Sequence, residues 1–181
     1  GKDVVKSYFG IRSTRFDNKH YILNNKPFYL RTVLDQGFYK KGIYTAETEE
    51  ELVRDIYLSL DAGFNGARLH QKIFEPRFLY HCDKLGYLVF GESPNAHLDY
   101  SDMNQLTPFL LEWQRAVIRD FNHPSIIGWC PLNETWDWNN RHQNDDFIRA
   151  LYYTTKAVDT TRPCIGTSGN YQVVSDIYDL H

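Results

Sequence analysis

The chain has 181 residues, 42% hydrophobic and 24% charged, which suits one soluble globular domain with a substantial core and excludes a disordered or fibrous chain. Lys and Arg number 20 against 23 Asp and Glu, a formal charge of -3, so no basic footprint for nucleic acid is present, nor a charged arm or tail. No apolar run approaches the roughly 20 residues that cross a bilayer, which excludes a membrane-spanning helix.

No signal peptide opens the sequence; Gly1-Lys2-Asp3-Val4-Val5 runs straight into Tyr8-Phe9-Gly10-Ile11 and reads as the middle of a domain junction. Residues from about 4 to 16 alternate apolar and polar, as in Val5, Tyr8, Phe9, Ile11 and Phe16, and suggest a strand arriving from an earlier unit. Tyr21-Ile22-Leu23 and Phe28-Tyr29-Leu30 flank the polar turn Asn24-Asn25-Lys26-Pro27. The second run continues through Arg31-Thr32-Val33-Leu34-Asp35 and is expected as the first strand of a larger sheet.

Thr48-Glu49-Glu50-Glu51 matches a capping box, and Leu52, Ile56 and Leu60 recur at helical spacing until Gly63. Phe64 to Leu69 reads as a second strand. Pro76 opens a helix with Phe78, Cys82 and Leu85 on one face, closed by Gly86 before the strand Tyr87-Leu88-Val89-Phe90. Pro108 starts a longer helix carrying Phe109, Trp113, Ala116 and Val117, followed by the strand Ile126 to Leu132. Phe147, Leu151, Thr154 and Val158 mark one more helix, leading into Pro163-Cys164-Ile165-Gly166, and Ile177-Tyr178-Asp179-Leu180 begins a further strand.

Strands alternating with helical patterns imply βαβ units and a parallel sheet, with about five such units and the start of a sixth strand. No glycine-rich GxGxxG turn follows the first strand, which weighs against a dinucleotide-binding open sheet. A closed eight-stranded barrel needs around 250 residues, so the α/β pattern reads as part of a barrel. The cysteines, Cys82, Cys130 and Cys164, are odd in number, lack CxxC spacing and lie in apolar stretches, as buried free thiols do. The seven histidines show no tight ligand spacing, and no metal or other cofactor is expected.

The chemistry concentrates after the apolar run Ile126 to Leu132, which reads as a strand buried on both faces and delivers Asn133-Glu134 at its polar end. Barrel enzymes place catalytic groups at such strand ends. Walled by Trp129, Trp136 and Trp138, Glu134 is expected to be desolvated and its pKa raised, as suits a general acid near neutral pH. A bare Asn-Glu dipeptide is equally what an ordinary polar loop would contain. The longer string is more specific: Arg119-Asp120, Asn122-His123-Pro124-Ser125-Ile126, Trp129, then Asn133-Glu134 resembles the acid/base signature of glycoside hydrolase family 2, which contains β-galactosidases, β-glucuronidases and β-mannosidases.

The resemblance extends from about Tyr8 to His181. Tyr8-Phe9-Gly10-Ile11-Arg12 is similar to the family's junction segment, Asn25 to Arg31 to its first barrel strand, Phe64 to Arg68 to its second, and Cys82 to Val89 to the segment around its third. It implies an incomplete (β/α)8 TIM barrel, about strands one to six, over residues 18–181. Residues 1–17 are then the end of an immunoglobulin-like β-sandwich domain and a linker.

The implied function is a retaining exo-β-glycosidase acting on terminal β-linked sugars, galactosidase-like or glucuronidase-like. Glu134 is the acid/base, and the partner nucleophile is a glutamate on a seventh strand beyond His181, so the chain alone is expected to be inactive. Asn133 matches an asparagine that bonds the sugar 2-hydroxyl, and Arg68 an arginine near the nucleophile. A buried Arg68 needs an acidic partner in any case; a purely structural ion pair is its other reading. His70 either reaches a sugar hydroxyl or is a plain loop histidine. Asp35 either binds a sugar hydroxyl or is a solvated loop acid, and Leu34-Asp35-Gln36-Gly37 departs from the pattern that carries a magnesium site in galactosidase-like members. Glu92 supports the site from the third strand, Trp136 and Trp138 offer faces for sugar stacking, and His123-Pro124 shapes a turn.

Two further readings stay open: a non-catalytic carbohydrate-binding module that keeps the aromatic cleft, or another barrel glycosidase of the same clan, an endo-acting glucanase or mannanase. The expected partner is a β-glycoside, with neither nucleic acid nor membrane. Unpaired sheet edges of a partial barrel would invite self-association into a homo-oligomer. An exported bacterial enzyme, periplasmic or secreted, fits the resemblance.

Overall fold

The structure, a computed structural model, describes residues 1–17, 20–137 and 140–181. Strands β1 (Thr14–Asp17), β2 (His20–Leu23) and β3 (Lys26–Phe28) form an antiparallel sheet in the order β1-β2-β3. A second, parallel sheet contains β4 (Thr32–Asp35), β5 (Gly66–Leu69), β6 (Leu88–Glu92) and β7 (Ile126–Cys130) in strict chain order. The helices between and after these strands are α1 (Glu49–Asp61), α2 (Pro76–Leu85), α3 (Leu106–Asp120) and α4 (Asp145–Val158). Sequential order without a switch point is the pattern of a barrel wall and differs from a doubly wound open sheet.

Local signals place the helices. Thr48 caps α1 through its hydroxyl, which accepts from the Glu51 N–H at 3.4 Å, while the Glu51 carboxylate accepts from the Glu47 N–H at 2.8 Å. Pro76 occupies the first turn of α2, where its missing N–H is no loss, and Gly86 ends the helix at φ +70°. Helix α3 begins at Leu106, two residues before the expected Pro108. A 3-10 turn over Met103–Gln105, capped by Asp102, leads into it, and Pro108 is accommodated in the first turn.

Each sheet face has its own partner. Ala67, Leu69, Val89, Ile126 and Trp129 pack with Leu52 and Ile56 of α1, Phe78 and Cys82 of α2, Trp113 and Val117 of α3, and Phe147 and Leu151 of α4. All four helices thus cover one side. On the other, Leu88 and Ile127 meet Tyr21, with Leu23, Phe28 and Leu30 against them, so the β2–β3 hairpin closes one end of the inner face. The three cysteines are buried, as their apolar surroundings implied.

Four strand expectations are corrected. Residues 1–13 form no strand, and Val5, Phe9 and Ile11 are more than four-fifths exposed. The segment is nevertheless tied down: Arg12 Nε donates to the Pro124 carbonyl and Arg12 Nη2 to that of Ile126, both at 2.5 Å. The run from Phe28 to Asp35 is two strands in different sheets. Asn65 enforces the break, its Nδ2 donating to the Tyr29 carbonyl and its Oδ1 accepting from the Arg31 N–H, each at 2.8 Å. Pro163 to Gly166 makes only an isolated parallel bridge, Trp129 with Cys164. Ile177 to Leu180 forms no strand, because it folds back on the preceding loop, where the Asp179 carboxylate accepts from Ser168 Oγ and the Gly169 N–H.

The turn before β7 is a polar clamp. Arg162 donates to the carbonyls of Phe121, His123 and Ile126 and pairs with Asp159 at 2.6 Å, while Asp159 also accepts from Trp129 Nε1 at 2.8 Å and from Thr161. His123 Nδ1 lies 2.6 Å from Asp83, whose other oxygen accepts from the Ser125 N–H, so His123-Pro124 serves the turn. Burial opposes the Asp159 charge, but the bonds from Thr161, Trp129 and Arg162 outweigh it and hold its pKa at about 2, below the ordinary 3.8. A depressed folded-state pKa contributes stability that is present above the ordinary value and lost as pH falls toward about 2. Urea midpoints of the protein are therefore expected to drop between about pH 4 and pH 2, and Asp159→Asn to flatten that drop; an unchanged slope would remove Asp159 from the acid response.

Candidate active site

Parallel pairing decides which side chains share a face. Leu34, Arg68 and Phe90 stand in register, and so do Asp35, Leu69 and Gly91. Leu69 belongs to the core under the helices, so Asp35 points to that side and Arg68 to the inner one. The structure therefore separates Asp35 from the remaining candidates: its Oδ1 accepts from the Gly37 N–H at 2.8 Å in the loop after β4. Burial raises the Asp35 pKa against the bond from Gly37 and the Lys72 charge. Lys72 itself, buried among Tyr39, Tyr44 and Phe74, donates to the carbonyls of Gly37 and Tyr44 at 2.7 Å and pins that loop.

The inner ends of β5, β6 and β7 converge on Arg68. Its Nε lies 2.7 Å from Glu92 Oε2. Nη2 donates to Asn133 Oδ1 and lies 3.1 Å from His70 Nδ1. Nη1 donates to Ser168 Oγ and lies 3.1 Å from His181 Nε2. Glu92, 1% exposed, receives the Gln71 N–H at 2.9 Å and has His70 Nδ1 at 2.8 Å. A carboxylate this deep stays charged only with such partners, and Glu92 is the acidic partner that Arg68 requires.

Glu134 follows β7 at φ +46°, a left-handed conformation uncommon for a non-glycine residue. Its N–H donates to the Ser168 carbonyl at 2.9 Å, and the Ser168 N–H returns to Leu132 at 2.9 Å. The carboxylate is a third exposed; Oε1 lies 2.5 Å from His181 Nδ1, and Oε2 accepts from Trp136 Nε1 at 3.1 Å. Because Arg68 can only donate, His181 Nε2 accepts and Nδ1 carries the proton given to Glu134.

These bonds reverse the electrostatic expectation. Hydrogen bonds from His181 and Trp136 outweigh a slight desolvation, and the Glu134 pKa is lowered from its ordinary value. The expected aromatic wall is not formed by the described residues: Trp129 lies in the core with its Nε1 on Asp159, and Trp136 is 58% exposed and donates to the carboxylate. Trp138 lies outside the described residues. Replacing His181 by alanine removes the largest lowering influence, so the Glu134 titration midpoint should rise, read as the pH dependence of its side-chain carboxyl 13C shift. A midpoint unmoved by that change would place the cause elsewhere.

Glu134 and Asn133 border a cleft of about 230 Å³ that continues past Gln71, His97, Leu98 and Trp136. Among the described residues no group of three or more His, Cys, Asp or Glu side chains is disposed to hold a metal ion. The arrangement offers a partly exposed carboxylate for proton transfer, a carboxamide fixed by a guanidinium, and a buried ion pair beneath them. Sequence reasoning did not find Ser168, Asp179 and His181 as contributors, because the segment that carries them reaches Arg68 only by folding back, where a further strand was expected.

A family model described as "Glycosyl hydrolases family 2, TIM barrel domain" matches residues 14–179. Curated relatives include a β-galactosidase of Vibrio vulnificus, 30% identical over 162 residues, covering 85% of this chain and 15% of that protein. A β-galactosidase of Lactococcus lactis is 32% identical over 161 residues with the same coverage, and a β-glucuronidase of Canis lupus familiaris 29% identical over 171 residues, 90% of this chain and 25% of that protein. The chain thus spans between about a seventh and a quarter of the length of these relatives. Among solved structures, the β-glucuronidase of Parabacteroides merdae superposes with a TM-score of 0.84 at 25% identity, over 94% of this chain and 22% of that one. The sheet of sequential parallel strands is therefore part of a TIM barrel.

Proposed function

Since this chain belongs to glycoside hydrolase family 2, we propose that it carries the acid/base half of the active site of a retaining exo-β-glycosidase that removes terminal β-linked galactose or glucuronic acid. The observation that supports this most directly is the Glu134 carboxylate beside Asn133, at the end of β7, with Asn133 held by Arg68. Relatives named β-galactosidase and β-glucuronidase support the substrate class.

In this reading Glu134 gives its proton to the glycosidic oxygen as the C–O bond breaks, while a second carboxylate forms a bond to the anomeric carbon. Water then attacks the glycosyl-enzyme and passes its proton to Glu134. Asn133, its oxygen taken by Arg68, presents its NH2 to the sugar 2-hydroxyl. Glu92 is a poor nucleophile, because Arg68, His70 and the Gln71 N–H already occupy its oxygens. We assign the nucleophile to a part of the parent protein outside this sequence. At the roughly 5 to 5.5 Å typical of retaining enzymes, its negative charge would raise the Glu134 pKa, offsetting His181, until glycosylation neutralises it. His70 and Trp136 supply contacts to the sugar, and Asp35, on the other face of the sheet, takes no part.

The test is release of p-nitrophenol by the full-length parent from β-galactoside, β-glucuronide and β-mannoside substrates, with the anomer first formed read by 1H NMR. Turnover of the β-galactoside or the β-glucuronide with the β anomer first formed is expected. An α anomer, turnover of the β-mannoside alone, or no turnover of any of the three, would overturn the proposal. The isolated chain should release nothing, and turnover by it would move the nucleophile to Glu92.

A further inference from the structure

The peptide unit that leads into Glu134 is gripped by a buried side chain with no other evident task. Asn95, 1% exposed, follows β6 and meets the backbone of Asn133 with both ends of its carboxamide. Its Oδ1 accepts from the Asn133 N–H at 3.0 Å and its Nδ2 donates to the Asn133 carbonyl at 2.8 Å. That carbonyl belongs to the same peptide as the Glu134 N–H, which the Ser168 carbonyl takes from the other side. The plane of the peptide is therefore held at both polar atoms.

Asn95 is itself held. Gln71, just beyond β5 at φ +54°, donates from Nε2 to Asn95 Oδ1 at 2.8 Å, and its Oε1 accepts from the N–H groups of Asn95 and Ala96 at 2.8 and 3.0 Å. The Tyr100 hydroxyl donates to the Asn95 carbonyl at 2.9 Å and receives Asn95 Nδ2 at 2.5 Å. The ends of three strands are locked by carboxamides, which have a donor and an acceptor at fixed separation and no charge to compete with Glu134. A left-handed glutamate persists only where its surroundings over-determine it.

We propose that Asn95, oriented by Gln71, is a positioning residue for the acid/base: it holds the 133–134 peptide so that the Glu134 carboxylate faces the glycosidic oxygen. This rests on the reading of Glu134 as acid/base. Loosening the peptide should damage the proton transfers and spare the nucleophilic attack. Substrates that need protonation of the leaving oxygen should suffer, and substrates with a stable leaving anion should not.

The experiment uses the full-length parent, the sugar it accepts, and Asn95→Ala, with Asn95→Asp as an isosteric variant that keeps the acceptor and loses the donor. For the phenyl β-glycoside, kcat/KM should fall ~100-fold, the scale expected for a misplaced catalytic group. For the 2,4-dinitrophenyl β-glycoside it should fall far less. Azide, which attacks the glycosyl-enzyme as an anion and needs no proton removed, should restore turnover of the dinitrophenyl substrate and yield the glycosyl azide. Equal losses on both substrates without azide rescue, or no loss, would overturn the proposal. If Asn95→Ala fails to fold, Asn95→Asp decides it by the same readouts. Glu134→Ala is the control: leaving-group bias and azide rescue there but not in the Asn95 variants overturns only the positioning role. Their absence in Glu134→Ala overturns the acid/base reading and the positioning role together.

Discussion

Glu134→Gln in the full-length parent is expected to lower kcat/KM for a phenyl β-glycoside by about 10²- to 10⁴-fold, the range supplied by general acid–base catalysis. Glutamine is nearly isosteric and its one oxygen can still accept from His181, with only the exposed Trp136 bond given up, so the local structure should hold while the transferable proton is gone. The loss should shrink as the leaving group becomes more acidic, because a dinitrophenolate departs without protonation. KM should fall for the activated substrate, because the glycosyl-enzyme accumulates when no base activates water. A phenyl glycoside turned over at the wild-type rate would end the assignment of Glu134.

The second large effect is at Arg68. Arg68→Met leaves Glu92, 1% exposed, with its charge uncompensated except by His70 and one N–H, and breaking a buried pair from one side typically costs ~3 to 5 kcal/mol. Urea denaturation should register that loss. Activity should fall independently, because Asn133 Oδ1 and His181 Nε2 lose the donor that orients them. The double variant Arg68→Met, Glu92→Gln separates the two: stability should largely return, since no buried charge remains unpaired, and activity should not. Arg68→Lys should also fail to restore activity, because one ammonium cannot reach groups spread across the guanidinium fork. Stability unchanged in Arg68→Met would mean that Glu92 is not the buried counterion.

Much of this was legible in the residues, for local reasons. Thr48, Pro76 and Gly86 mark helix ends through hydrogen bonds and φ preferences within a few positions of themselves. Ile126 to Leu132 reads as a strand buried on both faces; the strand formed is Ile126–Cys130, and all five of its residues are buried. The family followed from a string whose parts hold one turn and one strand end. Arg68 needed an acid by electrostatics alone, and Glu92 is that acid.

The failures have one cause, that they depend on partners distant in sequence. Phe28 to Asp35 has continuous strand character, yet Asn65, some thirty residues on, divides it between two sheets. Asp35 and Arg68 both end strands, and only the pairing register shows that they face opposite sides. Tryptophans near Glu134 in sequence suggested burial and a raised pKa, but Trp129 turns into the core toward Asp159, and the bond from His181, 47 residues on, is the largest influence lowering that pKa. Local pattern thus determined the helices and the parallel strands, because short-range sterics, capping and burial act along the chain, and the resemblance carried by the string from Arg119 to Glu134 pointed to the family and to the Asn133-Glu134 pair. Tertiary structure alone decided which carboxylate pairs with Arg68, that His181 folds back onto Glu134, and that Asn95 grips the peptide before it. Each depends on side chains brought together from segments distant along the chain, and no local pattern encodes that proximity.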